Sequence, residues 1–300
     1  MRARLAVWGV VLIWAANFSV IKAALADFQP FAFNALRFPL ASITLLLLLL
    51  AARRTIRFER RHWPAILGLG VLGHLAYQPF FILGLDNTLA GNSSLILASV
   101  PVFVAVLSAV MGHERHAGRT WAAVVLSFAG IGLVVAGGAQ AVGFGGSTVV
   151  GDLLTLGAAI LWSLYTVLST PLVRRYGALP VTAVTMWIGT VGLVAAGVPS
   201  LLGQPWAAVR PAAWAGLAYA GVLGIAVAYL LWYTSVRSVG STRTAVYSNM
   251  VPVGALAIAW ATLGERPTWL QLTGAAAILA GVTLARGARP RGRQEIPPEE

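Results

Sequence analysis

Asn92-Ser93-Ser94-Leu95-Ile96-Leu97-Ala98-Ser99-Val100-Pro101-Val102, running on to Gly112-His113-Glu114, is an apolar segment with a proline in its middle and an acid at its close. The same design returns late in the chain as Arg243-Thr244-Ala245, then Val251-Pro252-Val253, then Gly264-Glu265. Pro101 to Glu114 and Pro252 to Glu265 are each 13 positions, and the copies stand 151 positions apart. That offset persists downstream, where Ala129-Gly130 falls on Ala280-Gly281 and Leu133 on Leu284. The chain is therefore a duplication, and its fold must be one that two copies of a single unit can build.

Composition says where such a unit lives. Of the 300 residues, 58% are hydrophobic and only 10% charged, with a mean hydropathy of +0.81. A soluble domain carries roughly 25% charged residues, so this chain cannot cover itself with polar groups and reads as an integral membrane protein. With no cysteine it has neither a disulfide nor a thiolate metal site. The net charge of +12 would suggest nucleic acid in a soluble chain; here loop orientation explains it better. The first 26 residues look like a signal peptide, but the apolar run holds Asn17 and Lys22 and exceeds a signal core of about 7–15 residues. It is read as a retained first helix.

A span needs about 20 apolar residues, and ten candidates follow: Leu5–Ala26, Phe31–Ala52, Pro64–Leu85, Gly91–Met111, Thr120–Gly138, Asp152–Thr170, Pro180–Leu202, Ala212–Tyr233, Thr244–Leu263 and Thr268–Ala285. With the N-terminus cytoplasmic, 17 of the 21 basic residues fall on inner segments, and only Lys22, Arg37, Arg210 and Arg266 lie elsewhere. Both termini are then cytoplasmic. Each repeat has five helices, an odd number, so the second enters the membrane inverted. The expected organisation is a first five-helix repeat over 1–138, a periplasmic linker over 139–151, a second, inverted repeat over 152–285, and a disordered cytoplasmic tail over 286–300. A pseudo-two-fold axis in the membrane plane lets a scaffold open to either side by exchanging the conformations of its halves.

Polar and aromatic residues at helical spacing mark the faces that a cavity would use. They are Trp14, Asn17, Phe18 and Lys22 in the first span, His74, Tyr77, Gln78 and Phe81 in the third, Trp162, Tyr165, Thr166 and Ser169 in the sixth, and Tyr247, Ser248, Asn249 and Met250 in the ninth. Residues three and four apart share a helix face, and polar groups in hydrocarbon turn to the bundle interior. Single Ser or Thr residues read as interhelical glue, whereas Asn17, His74, Gln78 and Asn249 are equally suited to line a cavity. Pro101 and Pro252 remove the helical donors for Leu97 and Ser248; matched breaks in two halves point to a midplane site and its gates. Lys22 and Arg37 project near the outer ends of the first two spans, with Asp27, Asp86, Asp152 and Glu265 as candidate charge partners. Lys22 fits snorkelling to the interface; Arg37, deeper, fits a structural pair or a substrate carboxylate.

Other motifs carry little. Gly68, Gly70 and Gly73 spell G-x-G-x-x-G within a span, with no strand before them, and suit close helix packing rather than a dinucleotide. There is no Walker loop, H-E-x-x-H or G-x-S-x-G. His113 and His116 flank Glu114 as loop residues rather than metal ligands. No carboxylate is expected well within a span, so a proton relay of acids lacks support and uniport or gradient-driven exchange is expected.

In order and spacing these residues resemble the drug/metabolite transporter superfamily, in its ten-helix EamA-type branch. Ile13-Trp14-Ala15-Ala16-Asn17-Phe18-Ser19-Val20-Ile21-Lys22 resembles its opening signature, Arg37-Phe38 its second-helix pair, and Pro101 to Arg115 and Pro252 to Arg266 its proline-to-Gly-Glu-Arg helices. The first copy departs by inserting His113. Trp162 stands where the counterpart of Trp14 is expected, with Thr170 in place of the lysine. The resemblance runs to Arg286. It implies export of small organic metabolites, often amino acids, through a central cavity of alternating access; aromatic amino-acid exporters belong to this branch.

The reading is an all-α integral membrane protein of ten transmembrane helices, a secondary transporter rather than an enzyme, in the cytoplasmic (inner) membrane. Its cavity is expected to be lined by Trp14, Asn17, His74, Tyr77, Gln78, Ser99, Trp162, Tyr165, Tyr247 and Asn249, with Pro101 and Pro252 gating. Expected partners are a small-molecule cargo and the bilayer, with no nucleic acid, cofactor or metal, in a monomer or homodimer. Alternatives are drug or nucleotide-sugar transport on the same fold, a membrane-embedded lipid enzyme, and a helical subunit of a larger complex.

Overall fold

Long apolar runs with their charges confined to the ends can satisfy backbone polar groups in hydrocarbon only as helices or closed barrels, and this chain takes the helical solution. The computed structural model describes residues 2–51, 56–111, 118–142, 147–229, 231–232 and 250–287. Its helices are α1 (Arg2–Ala24), α2 (Pro30–Ala51), α3 (63–87), α4 (Ala90–Leu97 and Val100–Val110), α5 (Gly118–Val142), α6 (Ser147–Tyr176), α7 (Ala178–Leu202), α8 (from Pro211), α9 (Met250–Leu263) and α10 (Trp269–Gly287). No strand occurs among the described residues. By length and composition, six helices among the described residues suffice to cross a membrane, namely α1, α2, α3, α5, α6 and α7; the described apolar runs of α4, α8, α9 and α10 are shorter.

The exterior is apolar, and the interior holds buried polar groups beside its apolar core. Leu12, Leu50, Val125, Val191 and Leu202 are exposed, whereas Asn34, Arg37, His74, Gln78, Asn92 and Asp152 are buried. An apolar exterior, with the polar side chains of the spans turned inward, is what lipid as solvent dictates.

Contacts fix two faces of the bundle. Face I gathers the turns 25–29, 88–89, 203–210 and 264–268, joined by Gln29 to Gln204, Asp27 to Arg210 and Glu265 to Ala90. Face II carries residues 56–62 against the end of α6, where Tyr176 meets Glu59 and His62. Thus α1 runs from face II to face I and α6 runs the other way. The packing is duplicated too: α1 lies on α8 and α9 as α6 lies on α3 and α4, while α2 pairs with α7 and α5 with α10. Exchanging the first five helices with the second five carries these packings into each other. The third helix of each set also widens into a π-type stretch, Val71–Ala76 in α3 and Tyr219–Val227 in α8.

Two expected features differ in the structure. Helix α6 begins at Ser147 and continues past Pro171 to Tyr176, so Asp152, expected at the mouth of its span, lies more than a turn inside the helix and is fully buried. Its carboxylate is held there by the Thr88 hydroxyl (2.6 Å) and the Asn92 amide, which supply the bonds water would give. Within G-x-G-x-x-G, two glycines serve packing: a Cβ at Gly70 would collide with Ile188 and one at Gly73 with the Tyr165 ring, whereas Gly68 meets nothing within 4 Å.

Candidate functional site

Between the two sets of helices lies a cavity of about 230 Å³. Its walls come from α1 (Trp14, Asn17, Phe18), α2 (Arg37, Phe38), α3 (His74, Tyr77, Gln78, Phe81), α4 (Leu97), α6 (Trp162), α7 (Met186), α8 (Gly224, Ile225, Tyr229) and α9 (Val251). Both π stretches border it through His74 and Gly224. A π turn shifts the register of the side chains that follow and recurs at functional sites.

Aromatic rings form a connected wall. Phe18 meets Phe81 edge-on at 6.3 Å, Phe81 stacks on Tyr77 at 5.8 Å, and Tyr77, Trp162 and Tyr165 follow at 5.1 Å steps. Tyr165 continues to His74 at 5.6 Å and His74 to Phe38 at 6.3 Å. The wall is pinned by polar handles: Tyr165 Oη and His74 Nε2 both reach Thr185 Oγ1, at 3.0 and 3.3 Å. Across the cavity, Trp14 Nε1 donates to the Gly224 carbonyl at 3.1 Å, and Tyr219 Oη donates to that of Ile13 at 3.0 Å. Gly224 is required by close approach, since a Cβ there would stand 2.5 Å from Asn17 Oδ1.

Three polar groups on these walls are left over. Asn17 Oδ1, Gln78 Oε1 and Arg37 Nη1 are buried with no hydrogen-bond partner. Arg37 is 4% exposed; its Nε makes one long bond of 3.4 Å to the Ala220 carbonyl, and its guanidinium lies 5.6 and 6.0 Å from the centres of the Phe38 and Phe81 rings. Unpaired polar atoms are rare in protein interiors and call for a reason.

At face I the α3–α4 hairpin is gripped at both helix ends. Lys22 Nζ donates to the last-turn carbonyls of Leu85 (3.0 Å) and Asp86 (2.6 Å). Glu265 accepts from the first N–H groups of α4, at Ala90 (2.8 Å) and Gly91 (3.0 Å). Each charge sits on the helix end whose dipole it complements. Gly264, with φ of +71°, makes this possible by turning the chain sharply after α9. Beneath it, Asn92 joins Asp152 of α6 to Gln271 of α10, whose Nε2 donates to Asn92 Oδ1 at 2.6 Å.

An EamA-like transporter family model matches residues 1–136 and 149–287. The chain belongs to the EamA-like transporter family. A probable terminal-alkyne amino-acid exporter of Streptantibioticus cattleyicolor is 34% identical, over 95% of this chain and 94% of that protein. An uncharacterized transporter of Archaeoglobus fulgidus is 32% identical, over 91% and 93%. A crystal structure of a protein 21% identical superposes with a TM-score of 0.65, covering 95% of this chain and 96% of that one, which shows the shared fold.

The cavity of this EamA-like transporter gathers Trp14, Asn17, His74, Tyr77, Gln78 and Trp162, six of the ten residues expected to line it. Tyr247 and Asn249 lie outside the described residues, as do Ser248 and Glu114. Tyr165 stands behind the wall, supporting Trp162 and His74. Ser99 does not face the cavity; its hydroxyl turns back to the Ile96 carbonyl at 2.5 Å. It forms part of the break before Pro101, where residues 98–99 leave the helix. Pro252 is buried near the described start of α9.

The charge partners are rearranged. Lys22 finds backbone carbonyls, Asp27 finds Arg210, Asp152 finds Thr88 and Asn92, and Glu265 finds backbone N–H groups. Arg37 finds no carboxylate among the described residues. The residues missed were Phe38, Leu97, Met186, Gly224, Ile225, Tyr229 and Val251 on the walls, and Thr185 behind them. Thr182, Thr185 and Thr190 along an apolar helix were the signal for the last; the apolar run around Gly224 offered none.

Proposed function

We propose that this EamA-like transporter exports amino acids or similar small amphipathic metabolites across the cytoplasmic membrane by alternating access. The observation that carries this is the cavity itself: an aromatic wall with unpaired Asn17 Oδ1 and Gln78 Oε1 on it. A mostly apolar pocket with a few convergent polar groups is the general form of a small-molecule site. The named exporter of an amino acid among its relatives supports the cargo class, and the duplicated, oppositely directed packing suits exchange between two access states. With both termini cytoplasmic, face I is the outer face. The hairpin grip there then closes the outer side of the cavity. Pro101 and Pro252 are the flexing points of α4 and α9, the unit acts as a monomer or homodimer, and residues 1–138 and 152–285 are its two repeats.

The test is counterflow in proteoliposomes with a panel of labelled amino acids, sugars and nucleotides. Accumulation of amino acids alone is expected, and accumulation of sugars or nucleotides instead overturns the cargo. Asn17→Ala and Gln78→Ala should each lower transport about fivefold, from the loss of a polar contact worth about 1 kcal/mol, while expression and melting temperature are retained. Unchanged flux in both removes them from the site.

A further inference from the structure

The buried guanidinium of Arg37 has five N–H donors and the permanent charge of an arginine. In the structure it has one long bond to a backbone carbonyl and two aromatic neighbours, with Nη1 unpartnered. Three of the four acids that could have served it are committed elsewhere, Asp27 to Arg210, Asp152 to Thr88 and Asn92, and Glu265 to the start of α4, and the fourth, Asp86, does not line the cavity. No acidic side chain is found among the described residues that line the cavity. A structural arginine in a membrane interior is paired with a carboxylate or with several carbonyls, because an unpaired charge there is costly. Arg37 instead lines the cavity, and its planar fork matches two carboxylate oxygens at once.

We infer that Arg37 is the specificity-determining residue of the cavity and docks a carboxylate on the cargo. This rests on the transporter reading above and narrows it. The rest of the lining fits the other parts of such a cargo. Asn17 Oδ1 and Gln78 Oε1 are acceptors that lack donors, suited to an ammonium or hydroxyl. The rings of Phe18, Phe81, Tyr77 and Trp162 supply the surface for an apolar side chain. The site selects small carboxylates with an apolar body, α-amino acids foremost. Their carboxamides and decarboxylated amines, which leave the guanidinium unpaired, are rejected.

The experiment uses matched probes on the purified full chain. L-leucine and L-phenylalanine are each offered beside their carboxamides and decarboxylated amines, isoamylamine and phenethylamine. Uptake is read by counterflow in proteoliposomes and binding by quenching of tryptophan fluorescence in detergent. The wild-type protein is expected to bind and carry the acids at least about tenfold better than amides or amines, the weight of a charge-assisted hydrogen bond. Arg37→Gln should abolish that preference, and Arg37→Lys should retain part of it, since it keeps the charge and loses the fork. Equal handling of acid, amide and amine by the wild type overturns the inference while leaving the transporter reading intact, and needs no variant to fold. Acid-selective binding without counterflow overturns the transporter reading and keeps the role of Arg37. Acid preference persisting in Arg37→Gln, or no binding of any probe, overturns the inference.

Discussion

The carboxylate of Asp27, in the turn after α1, takes the backbone N–H of Arg210 at 3.0 Å and its side-chain Nε at 2.9 Å. The Arg210 side chain first, and its backbone N–H second, hold the Asp27 carboxyl below its ordinary 3.8. A depressed carboxyl stabilises the fold at pH values above the unfolded pKa, and that contribution is lost as pH falls through the native one. Asp27→Asn should therefore melt below the wild type by the same interval from neutral pH down to about 5, with the gap closing below 3.8. Thermal melts of both proteins across that range measure it, and a gap that persists in strong acid would mean that Asn has lost something other than charge. The pair also shows what sequence could not supply at this scale. Asp27 and Arg210 are 183 residues apart, and Lys22 had acids nearby on paper but binds backbone carbonyls, which leave no mark in a sequence. Asn17, His74 and Gln78, by contrast, were legible as cavity residues because a polar side chain in an apolar helix has few other places to go.

Among elements, the α3–α4 hairpin shows how a local motif acquires a distant purpose. The glycine and acid closing α9 were visible as a pattern. What Glu265 binds was not, because its partners are the first N–H groups of a helix 174 and 175 residues away. The break in α4 was legible from Pro101 alone, since a missing donor is a property of the residue. The π stretches were not, because nothing in Val71–Ala76 or Tyr219–Val227 departs from ordinary helical composition. The Glu265 contact is both a helix cap and a tie between α9 and α4, so its removal should act on access as well as stability. Loss of a capping carboxylate costs about 1 kcal/mol, roughly a fivefold shift in an opening equilibrium. The chain has no cysteine, so one reporter suffices: Leu97→Cys, on the cavity wall. Adding Glu265→Ala should raise its labelling by an impermeant maleimide from face I about fivefold. Equal rates in the two proteins would show that the tie does not hold the cavity shut.

For the whole molecule, the ten-helix arrangement was legible because its evidence is cumulative: apolar runs, a constant 151-residue offset, and a bias in basic residues all point the same way. The swapped packing of α1 onto α8 and α9, and of α6 onto α3 and α4, was not legible, since helix neighbours are chosen by surface fit rather than chain order. That swap gives the duplication its mechanical sense. Each half contributes one helix to the other's wall, so a movement of either half reshapes the shared cavity. Charge gives the expected direction of the assembly. With the N-terminus cytoplasmic, 17 of the 21 basic residues fall on segments expected inside, and the anionic inner leaflet and the insertion machinery retain such segments. Single cysteines test this on the cysteine-free background. Ala207→Cys lies exposed on the face I turn Trp206–Ala208, and Arg57→Cys lies exposed on face II. An impermeant maleimide applied to intact cells, with the outer membrane opened if the host has one, should label Ala207→Cys fully and Arg57→Cys only after the inner membrane is permeabilised. The reverse pattern would place the bound face of the hairpin in the cytoplasm and turn the proposed outer closure into an inner one, while labelling of both sites in intact cells would mean that the chain inserts in two orientations.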